Sequence, residues 1–221
     1  MELTGKRIAF LGDSITEGTG VTDRENNRYD NRLKASLGLA EVYNRGIGGT
    51  RLAHKSVPSE KPRHDLCFCG RVYDLPREAD VVVVFGGTND YGHGDAPFGT
   101  RENETPATYM GGVRFLMKYL TAEFAGKPIV FMTPARRYGD EGISRKHPMN
   151  GTGRVLLDYV DAIIDIAEDY ENVHVIDLYR NLGIDPNQEA DLKAYAPDGL
   201  HFNDAGHARI AALLENLLRS L

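Results

Sequence analysis

The run Ala79-Asp-Val-Val-Val-Val-Phe-Gly86 constrains the fold more than any other stretch, because it is apolar without alternation. A strand with one wet face alternates apolar and polar residues, whereas an unbroken apolar run suits a strand buried on both faces of a parallel sheet. Short β-type runs recur at Arg7–Leu11, Glu41–Tyr43, Asp80–Phe85, Pro128–Met132 and Asn172–Ile176, with helical patterns between several of them. That alternation predicts a parallel α/β sheet with the third run at its middle.

Three helices follow from spacing. Thr105-Pro-Ala-Thr-Tyr-Met predicts a start with Thr105 as cap and Pro106 in the first position, the pattern running to Phe124 and ending near Gly126. A second helix is expected over Arg154–Tyr170, with Leu157, Val160, Ile164 and Ala167 as its buried stripe. The last is expected over Ala205–Leu221, with Ile210, Leu213, Leu214, Leu217 and Leu218 facing the sheet. Long polar segments at Thr50–Glu78, Tyr91–Glu104 and Arg136–Gly153 are the size of binding or lid loops. No linker divides the 221 residues, so one domain over 1–221 is expected.

Charge narrows the partners. With 26 basic and 32 acidic residues, a formal charge of -6 and no dense Lys/Arg run, nucleic acid and anionic membrane are not expected, and a small molecule is. A homo-oligomer stays open. The first residues lead directly into a strand-like run, which sets the cytoplasm as the expected location. Cys67 and Cys69, one residue apart, are poorly spaced for a disulfide and are expected as reduced packing thiols, with no zinc site.

In an open parallel sheet, ligands collect where strands end at their carboxyl edge. Gly12-Asp13-Ser14 follows the first run, Asn44-Arg-Gly-Ile-Gly-Gly49 the second, and Gly87-Thr-Asn89-Asp90 the third. These supply a hydroxyl, glycine amides and a side-chain amide, the parts needed to attack an acyl carbon and hold its oxyanion. Asp198-Gly-Leu-His201 adds a carboxylate and an imidazole three residues apart. Each piece has a plainer reading: Ser14 as a helix cap, Asn89-Asp90 as a turn, Asp198 and His201 as caps of the last helix.

The four blocks in this order resemble the SGNH hydrolases, the GDSL-type esterases and lipases, over residues 12 to 201. The resemblance implies a flavodoxin-like three-layer α/β/α sandwich with strand order 2-1-3-4-5 and ester hydrolysis without a cofactor. It implies Ser14 as nucleophile, His201 as base and then acid, and Asp198 as its orienting partner. The oxyanion hole would use the backbone N–H groups of Ser14 and Gly49 and the amide of Asn89. The second block reads Gly-Gly-Thr-Arg where relatives often carry a polar residue after the key glycine, which leaves Gly48 a rival to Gly49.

Asp13, Asp90, His93, Arg136 and Arg137 are expected on the substrate side, with Arg71 beside them, the arginines meeting polar or anionic groups. The expected reaction is hydrolysis of a small soluble ester, acetyl on a carbohydrate for preference. A lysophospholipase or thioesterase for longer chains, and a catalytically silent carbohydrate-binding protein, are the alternatives. His207 is expected to be structural, and His93 and Asp95 are not expected to hold a metal.

Overall fold

The structure, a computed structural model, describes residues 2–141 and 152–221. Five strands, β1 (Arg7–Gly12), β2 (Glu41–Gly46), β3 (Val81–Phe85), β4 (Ile129–Met132) and β5 (Val173–Ile176), form one sheet in the order β2-β1-β3-β4-β5. Every neighbouring pair is parallel. Side chains alternate across the sheet. Ala9, Leu11, Val82, Val84, Ile129 and Phe131 therefore enter one core, and Ile8, Phe10, Val81, Val83, Val130 and Met132 the other. The helices Tyr109–Glu123 and Leu156–Ala167 cover the first face; Tyr29–Leu37 and Asp204–Ser220 cover the second. The fold is the expected three-layer α/β/α sandwich.

Three local expectations are corrected. Thr105-Pro-Ala forms a turn, and the helix starts at Tyr109 with Thr108 as its cap, the Thr108 hydroxyl accepting the Gly111 N–H at 3.1 Å. An adjacent Thr one turn later served the same capping chemistry, and hydrogen-bond geometry chose it. The next helix is shorter than expected, Leu156–Ala167; of its expected stripe Val160 and Ala167 are buried while Leu157 and Ile164 lie at its margin, and Leu156, Tyr159, Ile163 and Ile166 are buried in addition. The buried face is broadened on the side of Tyr159, whose ring packs on Tyr109 and Phe98. Strand β2 runs three residues beyond the expected Tyr43, to Gly46, in register with Gly12.

The strand ends meet closely there. A Cβ on Gly46 would lie 2.2 Å from the backbone nitrogen of Glu17, so only glycine lets β2 run against the short helix Ser14–Glu17. Of the long segment Arg136–Gly153, positions 142–151 lie outside the described residues. Among the described residues no helix is long and apolar enough to cross a membrane.

Candidate active site

Parallel pairing puts the carboxyl ends of β1, β2 and β3 on one edge, with Gly12 opposite both Gly46 and Phe85. Ser14 follows at the start of the helix Ser14–Glu17, which Asp13 caps by accepting the Ile15 N–H at 2.9 Å. The turn before the last helix supplies the histidine. Phe202 is buried beneath it, the Gly199 carbonyl accepts the Tyr138 N–H at 2.7 Å, and Asn203 caps the helix that follows.

So anchored, His201 reaches Ser14 from the far end of the chain: its Nε2 lies 2.9 Å from Ser14 Oγ, and its Nδ1 lies 2.7 Å from Asp198 Oδ2. Burial raises the Asp198 carboxyl, but the hydrogen bonds from the His201 ring and backbone and from Leu200 outweigh it and hold it below the ordinary carboxylate range. A charged carboxylate on Nδ1 leaves Nε2 facing the hydroxyl as the proton acceptor. This chain of contacts can take a proton from Ser14 as its oxygen attacks an electrophile.

The glycine turn after β2 lies against Ser14, a Cβ on Gly48 falling 3.5 Å from Ser14 Cβ. Gly48 N–H donates to Glu17 Oε2 at 2.8 Å, whereas the Gly49 N–H has no partner among the described residues. Gly49 has φ +77°, and His64 packs on it so closely that a Cβ there would sit 2.5 Å from His64 Cδ2. Asn89 is buried and spends one Nδ2 hydrogen on the Thr50 carbonyl, at 2.9 Å, which orients its second. The Gly48 amide being engaged, Gly49 is the better placed of the two glycines.

The expected substrate-side residues are placed differently. Asp13 is buried, with Oδ1 on the Ile15 amide and Oδ2 without a partner among the described residues; burial pushes its carboxyl up to about 6. Asp90 is also buried, its two oxygens accepting the Leu52 and Ala53 amides at 2.9 and 3.0 Å, and burial raises it to about 7. It ties down the loop after β2 where it was expected to meet substrate. Arg71 is a second internal tie, donating to the carbonyls of Gly12, Arg45 and Leu66 and to Thr50 Oγ1.

Arg136 is held by Asp140, Glu141 and Asp185 at 3.1, 2.9 and 3.4 Å and lies over Tyr179, so its charge is already matched within the protein. Arg137 is buried against Thr88 and Tyr91. His93 meets Arg51 through Nδ1 at 3.2 Å and faces the His64 ring at 6.0 Å; partial burial and the Arg51 charge keep it neutral by lowering its pKa. Sequence reasoning passed over Glu17, Arg51 and His64. Only Glu17, one helical turn after Ser14, carried any signal. Among the described residues no cluster of three or more His, Cys, Asp or Glu side chains is arranged to hold a metal ion.

The GDSL-like Lipase/Acylhydrolase family model matches residues 10–209. A crystal structure of a protein from Lactobacillus plantarum is similar at 32% identity and a TM-score of 0.83, over 99% of this chain and 98% of that one. A possible lipase from Chitinophaga pinensis is similar at 23% identity and a TM-score of 0.67, over 97% and 98%. A mutant of an acetyl-xylooligosaccharide esterase from Geobacillus is similar at 23% identity and a TM-score of 0.59, over 98% and 95%. No curated protein matches the sequence.

Proposed function

Because the chain belongs to the GDSL-like lipase/acylhydrolase family, whose members are hydrolases acting on esters, we propose that it is a serine esterase that removes a small acyl group, acetyl for preference, from a carbohydrate or similar soluble ester. The observation that carries this reading is the contact of Ser14 Oγ with His201 Nε2 at 2.9 Å, continued to Asp198 at 2.7 Å.

In the proposed reaction Ser14 Oγ attacks the ester carbonyl carbon while His201 Nε2 takes the hydroxyl proton. The negative charge that develops on the carbonyl oxygen is met by the N–H groups of Ser14, Gly49 and Asn89. The intermediate collapses, the carbon–oxygen bond to the alcohol breaks, and His201 returns the proton to that alcohol. Water then repeats the sequence on the acyl-enzyme: it loses a proton to His201, attacks the same carbon and releases the acid, and Ser14 regains its proton. Asp198 stays charged throughout and holds the imidazole in one tautomer.

The acetyl preference draws on the polar segments that flank the site and on the acetyl-xylooligosaccharide esterase among the structural neighbours. The two unbridged, buried thiols of Cys67 and Cys69 support a reducing, cytoplasmic setting. The test is release of nitrophenolate from p-nitrophenyl acetate by the wild type and Ser14→Ala. Loss of turnover in a folded variant supports the serine esterase; equal rates overturn it. A steep rise from acetyl to octanoyl esters overturns the small-acyl preference alone.

A further inference from the structure

The turn Ile47–Thr50 is tied at three of its amides and, among the described residues, open at the fourth. Ile47 N–H donates to the Gly12 carbonyl at 3.0 Å and Thr50 N–H to the Ile47 carbonyl at 3.3 Å, and Gly48 N–H donates to Glu17 Oε2 at 2.8 Å. A positive φ at Gly49, the third residue of this turn, is what a type II turn requires. In that geometry the central amide, Gly49 N–H, points out of the turn.

Two consecutive glycines leave such a turn free to rotate. Glu17 removes that freedom from a particular place: it ends the same short helix that Ser14 begins. Its other oxygen, Oε1, is paired with Arg63, which leaves Oε2 to the amide. The close passage of Gly46 against the Glu17 backbone fixes the distance between helix and turn. Oxyanion donors act only within about 2.7–3.1 Å of the developing charge, so a small rotation of this turn removes one of them.

We propose that Glu17 is a positioning residue: by holding the Gly48 amide it fixes the turn from which Gly49 N–H meets the oxyanion, and so sets that donor in register with Ser14. The inference rests on the serine-esterase reading above. Glu17 touches no reacting atom and acts through the glycine turn.

The test compares wild type, Glu17→Ala, Glu17→Gln and Arg63→Ala on p-nitrophenyl acetate, with thermal unfolding and fluorophosphonate labelling of Ser14 alongside. Glu17→Ala is expected to lower kcat by about 10- to 100-fold, less than the roughly 10²–10³ lost with a whole donor, with KM within about twofold. Glu17→Gln keeps a carbonyl oxygen for the Gly48 amide and should stay within about threefold of wild type; Arg63→Ala should change kcat by less than about twofold, as an exposed ion pair contributes little.

Wild-type kcat in Glu17→Ala overturns the proposal. So does an equal loss in Glu17→Gln, or the same loss in Arg63→Ala, because charge and not the amide bond would then carry the effect. If Glu17→Ala fails to fold, Gly48→Ala serves, since its Cβ would lie 2.8 Å from Glu17 Oε2 and displace the carboxylate. A kcat loss at constant KM there supports the proposal, and wild-type kcat overturns it. A wild type that neither turns over nor labels at Ser14 overturns the esterase reading itself, and this inference with it.

Discussion

The Asp198 carboxylate holds His201 at two points, the ring Nδ1 through Oδ2 at 2.7 Å and the backbone N–H through Oδ1 at 2.7 Å. One side chain therefore fixes both where the imidazole stands and which nitrogen carries the proton. Three residues of separation make this possible within a single turn, and the lowered pKa of Asp198 keeps the carboxylate charged when an imidazolium forms beside it.

Asp198→Asn is expected to keep the position of His201 and lose the tautomer, because an amide can place a donor against Nδ1. Turnover of p-nitrophenyl acetate should fall by between about 10² and 10⁴, with KM little changed. A rate within threefold of wild type would remove Asp198 from the reaction.

The proton acceptor sets the pH dependence. His201 can accept the Ser14 proton only when its ring is neutral, so kcat/KM should fall on acidification as the ring is protonated. Asp198, held below the ordinary carboxylate range, stays charged as the ring titrates. A kcat/KM that does not fall on acidification of the folded enzyme, with chemistry rate-limiting, contradicts His201 as the base.

Asn89 offers its donor from a buried and already oriented amide. Asn89→Ala should lower kcat by about 10²–10³ while leaving KM nearly constant, because the bond strengthens only as charge appears on the oxygen. A loss below tenfold would mean that the Ser14 and Gly49 amides suffice.

The sheet and its edge were legible because they depend on local pattern. An unbroken apolar strand such as Val81–Phe85 has one comfortable place, and parallel strands bring the segments that follow them together wherever those segments lie in the chain. What the sequence hid is which polar groups face inward. Asp90 and Asp13 read as site carboxylates by their position after strands, yet backbone amides at Leu52, Ala53 and Ile15 claim them. Arg71 is likewise satisfied by carbonyls as distant as Gly12 and Arg45, and Arg136 by Asp140 and Glu141 close by and by Asp185 far along the chain. The Asp13 cap is local, but the pairings of Asp90 with Leu52 and Ala53, of Arg71 with Gly12 and of Arg136 with Asp185 are decided by tertiary packing, which single-residue chemistry does not encode. The wider buried face of Leu156–Ala167 has the same origin: Val160 and Ala167 are buried as the spacing implies, and the packing of Tyr159 on Tyr109 brings further positions inward.

His207 gives a stability prediction with a sign. The ring is buried on the last helix, stacked on Tyr29 at 5.8 Å, with Nδ1 accepting the Tyr29 N–H at 3.2 Å; burial lowers its pKa to about 4. The unfolded chain takes up a proton near pH 6.5 that the folded chain refuses until about pH 4, so the contribution of His207 is complete above pH 6.5 and is lost as pH falls through that window. The full effect is about 3 kcal/mol. Asp13 and Asp90, raised by burial to about 6 and about 7, work in the opposite direction: they contribute most at low pH and lose that contribution as pH rises. The wild-type curve sums these trends, and a variant at one site separates them. His207→Asn keeps an acceptor for the Tyr29 amide and cannot titrate. It should be less stable than wild type at pH 7, having lost the stacked ring, and the gap measured by denaturant unfolding should narrow steadily from pH 6.5 to pH 4. A gap that stays constant across that interval would mean that the folded protein protonates His207 as readily as the unfolded chain does.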